Sequence, residues 1–296
     1  SDVPMSIFLS SGVDSALIAA IAAKEFSTDI PAITVGFAGT SVHDESESAS
    51  AIANYLGLDH EVIHGDMTSG TGALDLMIGL YGCANDNTTA IPSFAMASAV
   101  RSAATVALSG IGGDELFYGY NKYQFFYDHN KILSLPRSLR SLARYFAKIS
   151  HHGTAADSLR RSQQWTYANY KNVGIWDFLD SVSGLHKWGD EFFSPYDQSS
   201  FVAARHFDLN HVLPGSYIPS IERSSMRVAL EVRTPFLNRH LLETVDQLDP
   251  RSLVGFGQKT IARRILNRYV PENLTPAGKR GFIYPLDQII ESQRIP

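Results

Sequence analysis

The sequence predicts an α/β protein in which a doubly wound parallel sheet is followed by a helical part. Up to about residue 120, short runs rich in β-branched residues alternate with longer runs of helical composition. This alternation is typical of parallel sheets whose strands are joined by helices. After Asn121 we find no strand pattern, and the chain contains a basic amphipathic helix pattern and an aromatic-rich stretch. We therefore expect an α/β part at residues 1–130 and a helical part at residues 131–296.

Strands and helices alternate along the first part. The predicted strands span residues 5–9, 30–37, 59–64 and 105–108. The predicted helices span residues 16–23, 44–56, 71–80 and 93–103, with Gly57 ending the second. In the second part, residues 137–148 have the pattern of a basic amphipathic helix, and residues 158–187 are aromatic-rich. Ligands of doubly wound sheets bind at the carboxyl ends of strands, so the loops after the first and fourth strands are candidate sites.

The loop after the first strand has the composition of a phosphate site. Residues 10–15 read Ser-Ser-Gly-Val-Asp-Ser and end where a helix begins. Free N–H groups at a helix start favour an anion, and glycine lets the backbone approach it closely. Asp14 would repel a bare phosphate, so this loop suits a phosphate accompanied by Mg²⁺. It lacks the lysine of the Walker loop, and the alternative is a surface turn with a capping Asp or Ser.

The loop after the fourth strand carries a second carboxylate. Residues 109–115 read Ser-Gly-Ile-Gly-Gly-Asp-Glu and also lead into a helix. Asp114 and Glu115 alone are explained equally well as helix caps. Because Asp14 and Asp114 follow strands of one sheet, we expect them to hold one Mg²⁺ against a triphosphate.

Two later stretches complete a pattern of four blocks. Residues 222–237 contain Glu-Arg-Ser-Ser-Met and then Leu-Glu-Val-Arg-Thr-Pro-Phe-Leu, and residues 279–285 begin Lys-Arg-Gly-Phe and end at Pro. With residues 10–15 and 109–120, they resemble in order the synthetase half of the glutamine-dependent asparagine synthetase family, over nearly the whole chain. That family also includes β-lactam-forming and macrolactam-forming synthetases.

The resemblance implies a fold and an activity. The fold is a sheet of the ATP-pyrophosphatase (adenine nucleotide α-hydrolase-like) type, with residues 1–130 binding the nucleotide and residues 131–296 completing the substrate site. The activity is that of an ATP-dependent amide-forming ligase with ATP and Mg²⁺ as cofactors. Such a ligase activates a carboxylate as an acyl-adenylate, releases pyrophosphate and transfers the acyl group to ammonia or an amine.

The resemblance also implies site residues. ATP and pyrophosphate contacts fall on Leu9, Ser10, Ser11, Gly12, Asp14, Ser15, Val35, Ser109, Gly110 and Lys279. Asp14 and Asp114 are the implied metal ligands, and with Lys279 they form the implied catalytic set. Lys279 would contact the reacting phosphate, where a cation is most effective as charge develops; its alternative is a solvated surface residue. Glu231 and Arg233 are expected to form a structural ion pair that shapes the site.

Three departures from the family pattern concern the substrate. Ile111 stands where many asparagine synthetases carry Glu or Asp, although Leu-like residues also occur there. Gly215 and Ser216 stand where an acid is expected, and Asn238 replaces an Asp. ATP use is therefore better supported than aspartate as the acyl substrate. The alternative is a lactam-forming or other tailoring amide synthetase acting on a non-aspartate substrate. The intact carboxylates argue against a scaffold protein that has lost catalysis.

Composition limits the partners and the location. The chain has 296 residues, a formal net charge of −5 and no basic run, so we expect no nucleic-acid partner. Cys83 is the single cysteine, which excludes a disulfide framework and fits a cytoplasmic protein. No run is apolar enough to span a membrane. We expect a small-molecule carboxylate substrate. The sequence lacks the glutaminase half that the family resemblance implies, and Cys83 is internal and does not replace the N-terminal cysteine of that half. A glutaminase domain or subunit upstream and a homodimer are both compatible with the sequence.

Two other motifs are set aside. His60 and His64 match the zinc-protease pattern H-E-x-x-H, but on the predicted strand they would lie roughly 13 Å apart and could not chelate one ion. Residues 255–260 resemble a Walker loop, but Gln258 replaces its last glycine and no strand precedes it. Lys259 is predicted to start a helix instead.

Overall fold

The computed structural model describes residues 2–26, 30–37, 45–65, 73–82, 89–133 and 200–275. Lys279, Cys83, the predicted helix at residues 137–148 and the aromatic-rich residues 158–187 lie outside these ranges. Within the described segments, no helix combines the length and the apolar composition needed to cross a membrane.

Five parallel strands form one sheet in the order β3-β2-β1-β4-β5. The strands are β1 Met5–Phe8, β2 Ala32–Phe37, β3 His60–Gly65, β4 Val106–Leu108 and β5 Glu231–Arg233. Ile7 pairs with Ala32 on one side and with Leu108 on the other, which places β1 at the centre. The strand order reverses between β1 and β4, so the loops after these two strands flank the crevice where doubly wound sheets bind ligands.

Helices cover both faces of the sheet. They are α1 Val13–Glu25, α2 Ser46–Leu56, α3 Ala73–Tyr81, α4 Ala90–Arg101, α5 Gly113–Leu116, α6 Asn121–Leu133, α7 Ser200–Phe207, α8 Ile218–Met226, α9 Arg239–Asp246, α10 Pro250–Val254 and α11 Thr260–Leu266. A π-helix at Asp208–Tyr217 joins α7 to α8, and short 3₁₀ turns lie at Pro235–Leu237 and Glu272–Leu274.

Helix α1 is the central helix of the larger core. Ala16, Ala19 and Ala20 are fully buried, and their small side chains let neighbouring elements approach α1 closely. Helices α2 and α11 pack against it. The same apolar cluster contains Tyr123 of α6 and Leu266 of α11, so elements from both ends of the chain share one core. This shared core fixes the start of α11 relative to the loop after β1.

The predicted α/β architecture is confirmed. The four strands and four helices expected in the first part are present, with bounds within three residues of those predicted. Gly57 ends α2 in the left-handed conformation, with φ 71°. His60 lies in strand β3, as expected, and its Nε2 is 2.8 Å from the hydroxyl of Thr34. The boundary expected at residue 130 falls within α6.

One expectation about the second part is wrong. We expected no strand after Asn121, but Glu231–Arg233 forms β5 beside β4. This strand is three residues long and places two charged, half-exposed side chains on either side of Val232. Short charged strands are common at sheet edges, and they lack the apolar run by which a buried strand is recognised.

Candidate active site

A cavity of about 410 Å³ lies at the carboxyl edge of the sheet, between β1 and β4. The loops after these strands line it together with residues of α4, the π-helix, α8 and the start of α11. Both parts of the chain therefore contribute to it. Ten of the eleven predicted site residues line this cavity: Leu9, Ser10, Ser11, Gly12, Asp14, Ser15, Val35, Ser109, Gly110 and Asp114. The eleventh, Lys279, lies outside the described residues, so its role stays a prediction.

The loop after β1 is closed by its own serines. The Ser10 N–H donates to Ser15 Oγ over 3.0 Å, and the two hydroxyl oxygens are 2.8 Å apart. The Gly12 N–H donates to Ser10 Oγ over 3.1 Å. The Ser11 N–H donates to Glu45 Oε2 over 3.1 Å, so a carboxylate of this chain binds one donor of the loop. Of these three backbone N–H groups, the Ser11 N–H donates to an anionic group, and those of Ser10 and Gly12 donate to serine hydroxyls. Phosphate binding by this loop stays a prediction.

The loop after β4 passes directly against Asp14. A Cβ on Gly110 would lie 2.9 Å from Asp14 Cβ and 3.0 Å from Ser15 N. A Cβ on Gly113 would lie 2.5 Å from Asp14 Cγ. Gly112 has φ 90°, which favours glycine for conformational reasons as well. The glycines of this loop thus allow the two carboxylate-bearing loops to touch.

Lys259 joins the two predicted metal ligands. Its ammonium Nζ donates to Asp14 Oδ2 and lies 2.6 Å from Asp114 Oδ1. Lys259 is 7% exposed, and it precedes α11 in the left-handed conformation with φ 54°. Such a conformation costs a non-glycine residue of the order of 1–3 kcal/mol, so the surrounding structure must enforce it.

The charge state of Lys259 follows from its neighbours. Burial lowers the pKa of Lys259, but Asp14 and Asp114 raise it, and the combined effect is a raised pKa. Lys259 is therefore a cation at neutral pH and balances one of the two carboxylate charges. The sequence did predict that Lys259 starts a helix, but it gave no indication of this position in the site. Residue 259 is 245 residues from Asp14, and no motif links the two.

The carboxylate pair fits a magnesium ion that is bound together with phosphate. Oxygens of Asp14 and Asp114 face the same nitrogen atom, so they converge on one point. Mg²⁺ prefers oxygen ligands and is usually held by one or two carboxylates plus substrate phosphates. Across the described segments, no group of three or more His, Cys, Asp or Glu side chains is placed to hold a metal. The remaining ligands would thus be phosphate oxygens and water.

A buried polar network lies behind Asp114. Glu115 is 2% exposed and accepts a hydrogen bond of 2.7 Å from the Tyr120 hydroxyl. Burial raises the pKa of Glu115, although the hydrogen bond from Tyr120 lowers it. Tyr217 of the π-helix is hydrogen-bonded to Tyr120, and Arg205 donates to the Glu115 carbonyl over 2.9 Å. These contacts tie the loop after β4 to the helices of the second part.

Part of the cavity lining forms an apolar wall. Ile111, Leu213 and Ile221 line the cavity there, with Ser220 and Thr89, whose hydroxyl oxygens are 3.2 Å apart. An apolar side chain can neither act as a general base nor bind an ammonium group. The residue expected to be acidic at position 111 therefore contributes an apolar surface to the cavity.

The residues of the other two departures are not among those that line the cavity. Gly215 belongs to the π-helix, and no heavy atom lies within 4 Å of where its Cβ would be. Asn238 caps α9 by accepting from the His240 N–H over 3.0 Å. The capping role explains why Asn is accommodated there, since Asn and Asp are both good N-caps.

The predicted ion pair between Glu231 and Arg233 is present. Arg233 Nε lies 2.6 Å from Glu231 Oε1, and both side chains are about half exposed. An exposed pair contributes little to stability. The backbone makes the closer connection to the site, because the Arg233 carbonyl accepts from the Ser109 N–H over 2.8 Å. Strand β5 thereby holds the loop after β4.

Comparisons with known proteins identify relatives of the chain. A family model described as asparagine synthase matches residues 1–295. Asparagine synthetase (glutamine-hydrolyzing) 1 of Bacillus subtilis is 25% identical over 308 aligned positions, which cover 99% of this chain and 48% of that protein. A putative asparagine synthetase (glutamine-hydrolyzing) of Mycobacterium bovis is 27% identical over 301 positions, covering 97% and 46%. The chain spans about half the length of these curated relatives.

Proposed function

Because this chain belongs to the asparagine synthase family, we propose that it is an ATP-dependent amide-forming ligase with its active site in the cavity between β1 and β4. The observation that carries the proposal is the meeting of Asp14 and Asp114 at Lys259. Two carboxylates beside a phosphate-type loop and a buried lysine suit a nucleotide that arrives with a divalent cation. Both relatives described above are named asparagine synthetases, which agrees with such chemistry.

The nucleotide lies across the two loops. The triphosphate is placed at the loop of residues 10–15, where backbone N–H groups and the start of α1 favour an anion. Val35 of β2 lines the cavity, and we assign it to the adenine. Residues 1–130 thus bind the nucleotide, and residues 131–296 complete the substrate site. This division is supported by Leu213, Tyr217 and Lys259, which come from the second part and line the same cavity.

Asp14 and Asp114 would hold Mg²⁺, which when bound neutralises charge on the leaving pyrophosphate. Lys259 and Lys279 act as cations toward the phosphates. A substrate carboxylate oxygen attacks the α-phosphorus, the bond to the β-phosphate bridging oxygen breaks, and pyrophosphate leaves. The nitrogen of ammonia or an amine then attacks the acyl carbon, the bond between that carbon and the AMP phosphate oxygen breaks, and AMP leaves together with one proton from the nitrogen. A buried cation such as Lys259 stabilises developing charge more strongly than it would in water.

The apolar wall favours a second, narrower candidate function. Ile111 and Leu213 contribute an apolar surface where an aspartate substrate would require groups for its amino and carboxylate functions. We therefore favour a non-aspartate acyl substrate, as in a lactam-forming or other tailoring amide synthetase. The curated relatives are named as glutamine-hydrolyzing, so ammonia from a glutaminase domain or subunit is the nitrogen source that the family suggests.

Product analysis tests the proposed function. The 296-residue chain is incubated with Mg²⁺, ATP, ammonia and a panel of carboxylic acids that includes aspartate and apolar acids. We expect AMP and pyrophosphate, and with ¹⁸O-labelled acid we expect one ¹⁸O in the AMP. Formation of ADP and phosphate, or AMP without the label, would contradict an acyl-adenylate. Efficient conversion of aspartate to asparagine would contradict the narrower candidate only.

A further inference from the structure

We propose that Lys259 is a built-in counter-ion that competes with the divalent cation for Asp14 and Asp114. The metal then binds only together with a phosphate, which replaces the two carboxylates as the partner of Lys259. This inference rests on the proposed function in taking the ligand to be a metal–nucleotide complex. It concerns the order in which the metal ion and the phosphate bind, which the proposed function leaves open.

The geometry makes lysine and metal compete. Nζ of Lys259 contacts one oxygen of each carboxylate, so the ammonium lies between them. A magnesium ion bound to the same oxygens at about 2.1 Å would lie next to the ammonium or coincide with it. Two cations at that separation repel each other strongly in a buried site. Lys259 must therefore leave the carboxylates when the metal binds both of them.

The ammonium position is built into the fold. Gly119 leaves the space that Lys259 Cε and Asp114 Oδ1 occupy, since a Cβ on Gly119 would collide with both. Gly113 does the same for the carboxylate of Asp14. Lys259 itself adopts an unfavourable backbone conformation with φ 54° and is buried. These features distinguish the contact from a surface ion pair formed by chance.

The site also offers Lys259 a second partner. The loop of residues 10–15 lines the same cavity, and a lysine side chain has enough rotatable bonds to move its ammonium without moving the backbone. A phosphate bound to that loop could accept from Lys259 and so release both carboxylates. Since coupling between ligands is reciprocal, the phosphate then promotes metal binding and the metal promotes phosphate binding.

Glu45 also occupies a group that we assign to the ligand, as Lys259 does. Glu45 Oε2 accepts from the Ser11 N–H, so a carboxylate of the chain binds a donor that we assign to the phosphate. Lys259 thus neutralises the metal ligands, and Glu45 binds the phosphate loop. A metal–nucleotide complex offers a cation to the two metal ligands and a phosphate to the loop at the same time. The free ion or the free nucleotide offers only one of these.

The test is a titration of the 296-residue chain with Mn²⁺, followed by electron paramagnetic resonance, with and without α,β-methylene-ATP. In the wild-type chain we expect Mn²⁺ to bind about tenfold or more tightly when the nucleotide is present. Lys259→Met should bind Mn²⁺ without nucleotide about tenfold or more tightly than the wild type, because two carboxylates then lack their counter-ion. Lys24→Met, which removes an exposed lysine of α1, is the matched control and should behave as the wild type.

Two further variants keep the comparison decisive. Lys259→Arg retains the cation and should exclude free Mn²⁺ as the wild type does. Asp14→Asn combined with Lys259→Met should lose the gained affinity. If Lys259→Met is unfolded without metal, Mn²⁺ should restore its circular dichroism spectrum, and failure to do so contradicts the inference.

Equal Mn²⁺ affinity of Lys259→Met and the wild type without nucleotide would overturn the inference, as would tight Mn²⁺ binding by the nucleotide-free wild type. Either result leaves ATP-dependent product formation intact. In contrast, AMP without label in the product analysis overturns the proposed ligase and leaves the nucleotide-free Mn²⁺ comparison unaffected. The two failures are therefore distinguishable.

Discussion

A Cβ atom on Gly113 would lie 2.5 Å from the carboxylate carbon of Asp14. The two residues belong to different loops, and the absence of a side chain at Gly113 allows the loops to touch. The positions of Asp14 and Asp114 relative to each other therefore depend on a glycine that carries no chemistry of its own.

This close contact predicts the effect of Gly113→Ala. The added methyl group must displace the Asp14 carboxylate, and a displacement of about 1 Å in a catalytic group can reduce a rate by about 100-fold. We expect a reduction of that size in ATP–pyrophosphate exchange. Gly79→Ala in α3 is the control, because no heavy atom lies within 4 Å of its Cβ position. Wild-type exchange in Gly113→Ala would show that the Asp14 carboxylate is not needed where the structure places it.

Lys259 is predicted to be important for stability and for exchange. In Lys259→Met, two partly buried carboxylates lose a shared cation, which we expect to lower the free energy of unfolding by about 2–4 kcal/mol. Urea unfolding with the divalent cation removed measures this change. Exchange should fall by about 10²–10³-fold, since a buried cation near developing charge is lost. Lys259→Arg should retain most of the stability, and a Met variant as stable as the wild type would contradict the ion-pair geometry.

Much of this arrangement was predictable from the sequence, and Lys259 shows why the rest was not. Asp14 and Asp114 follow strands whose order puts both loops at one edge, so their proximity follows from local patterns and the rules of parallel sheets. Lys259 reaches the same point only because α11 packs against α1, and no spacing rule encodes a contact between segments so far apart. Strand β5 was missed for a related reason, since its pairing with β4 rather than its own composition makes it a strand.

Glu115 predicts a pH dependence of stability. Burial raises the pKa of Glu115 in the folded chain, so the folded state holds this proton more tightly than the unfolded state does. The stabilising contribution is complete below the unfolded value of about 4.3 and is lost as pH rises through the raised folded pKa. The wild type should therefore lose stability relative to Glu115→Gln over that window, by about 1.4 kcal/mol for each unit by which the folded pKa is raised.

Urea unfolding of both proteins between acidic and neutral pH measures this difference. Glu222→Gln is the control, because Glu222 is exposed on α8. Stability curves of the wild type and Glu115→Gln that run parallel across the whole range would contradict the raised pKa.

The contact between Glu45 and the Ser11 N–H predicts an effect on nucleotide affinity. Glu45→Gln keeps a hydrogen-bond acceptor but removes a negative charge from the anion loop. We expect this variant to bind the α,β-methylene-ATP complex of Mg²⁺ about 3- to 10-fold more tightly, because a competing charge near the phosphates is removed. Calorimetry measures the affinity, and Glu47→Gln, exposed in the first turn of α2, is the matched control. Unchanged or weaker binding in Glu45→Gln would show that Glu45 does not compete with phosphate.

Ile111 predicts the polarity of the acyl substrate. Ile111→Asp places a carboxylate on the apolar wall of the cavity, where an apolar acid would have to bind beside it. We expect exchange with apolar acids to fall by about 10- to 100-fold. Ile78→Asp, on an exposed face of α3, should have no effect on exchange. If Ile111→Asp instead leaves exchange with apolar acids unchanged, this wall does not contact the acyl group.

The most direct test of the account is ATP–pyrophosphate exchange by Asp14→Asn and Asp114→Asn over a range of Mg²⁺ concentrations. Each variant removes one charge from the pair that meets at Lys259, and Asp59→Asn removes an exposed carboxylate before β3 as a control. The account predicts that exchange falls about 100-fold or more in both site variants, that each needs more Mg²⁺ for its remaining activity, and that Asp59→Asn matches the wild type. Wild-type exchange at ordinary Mg²⁺ in either site variant would contradict the account.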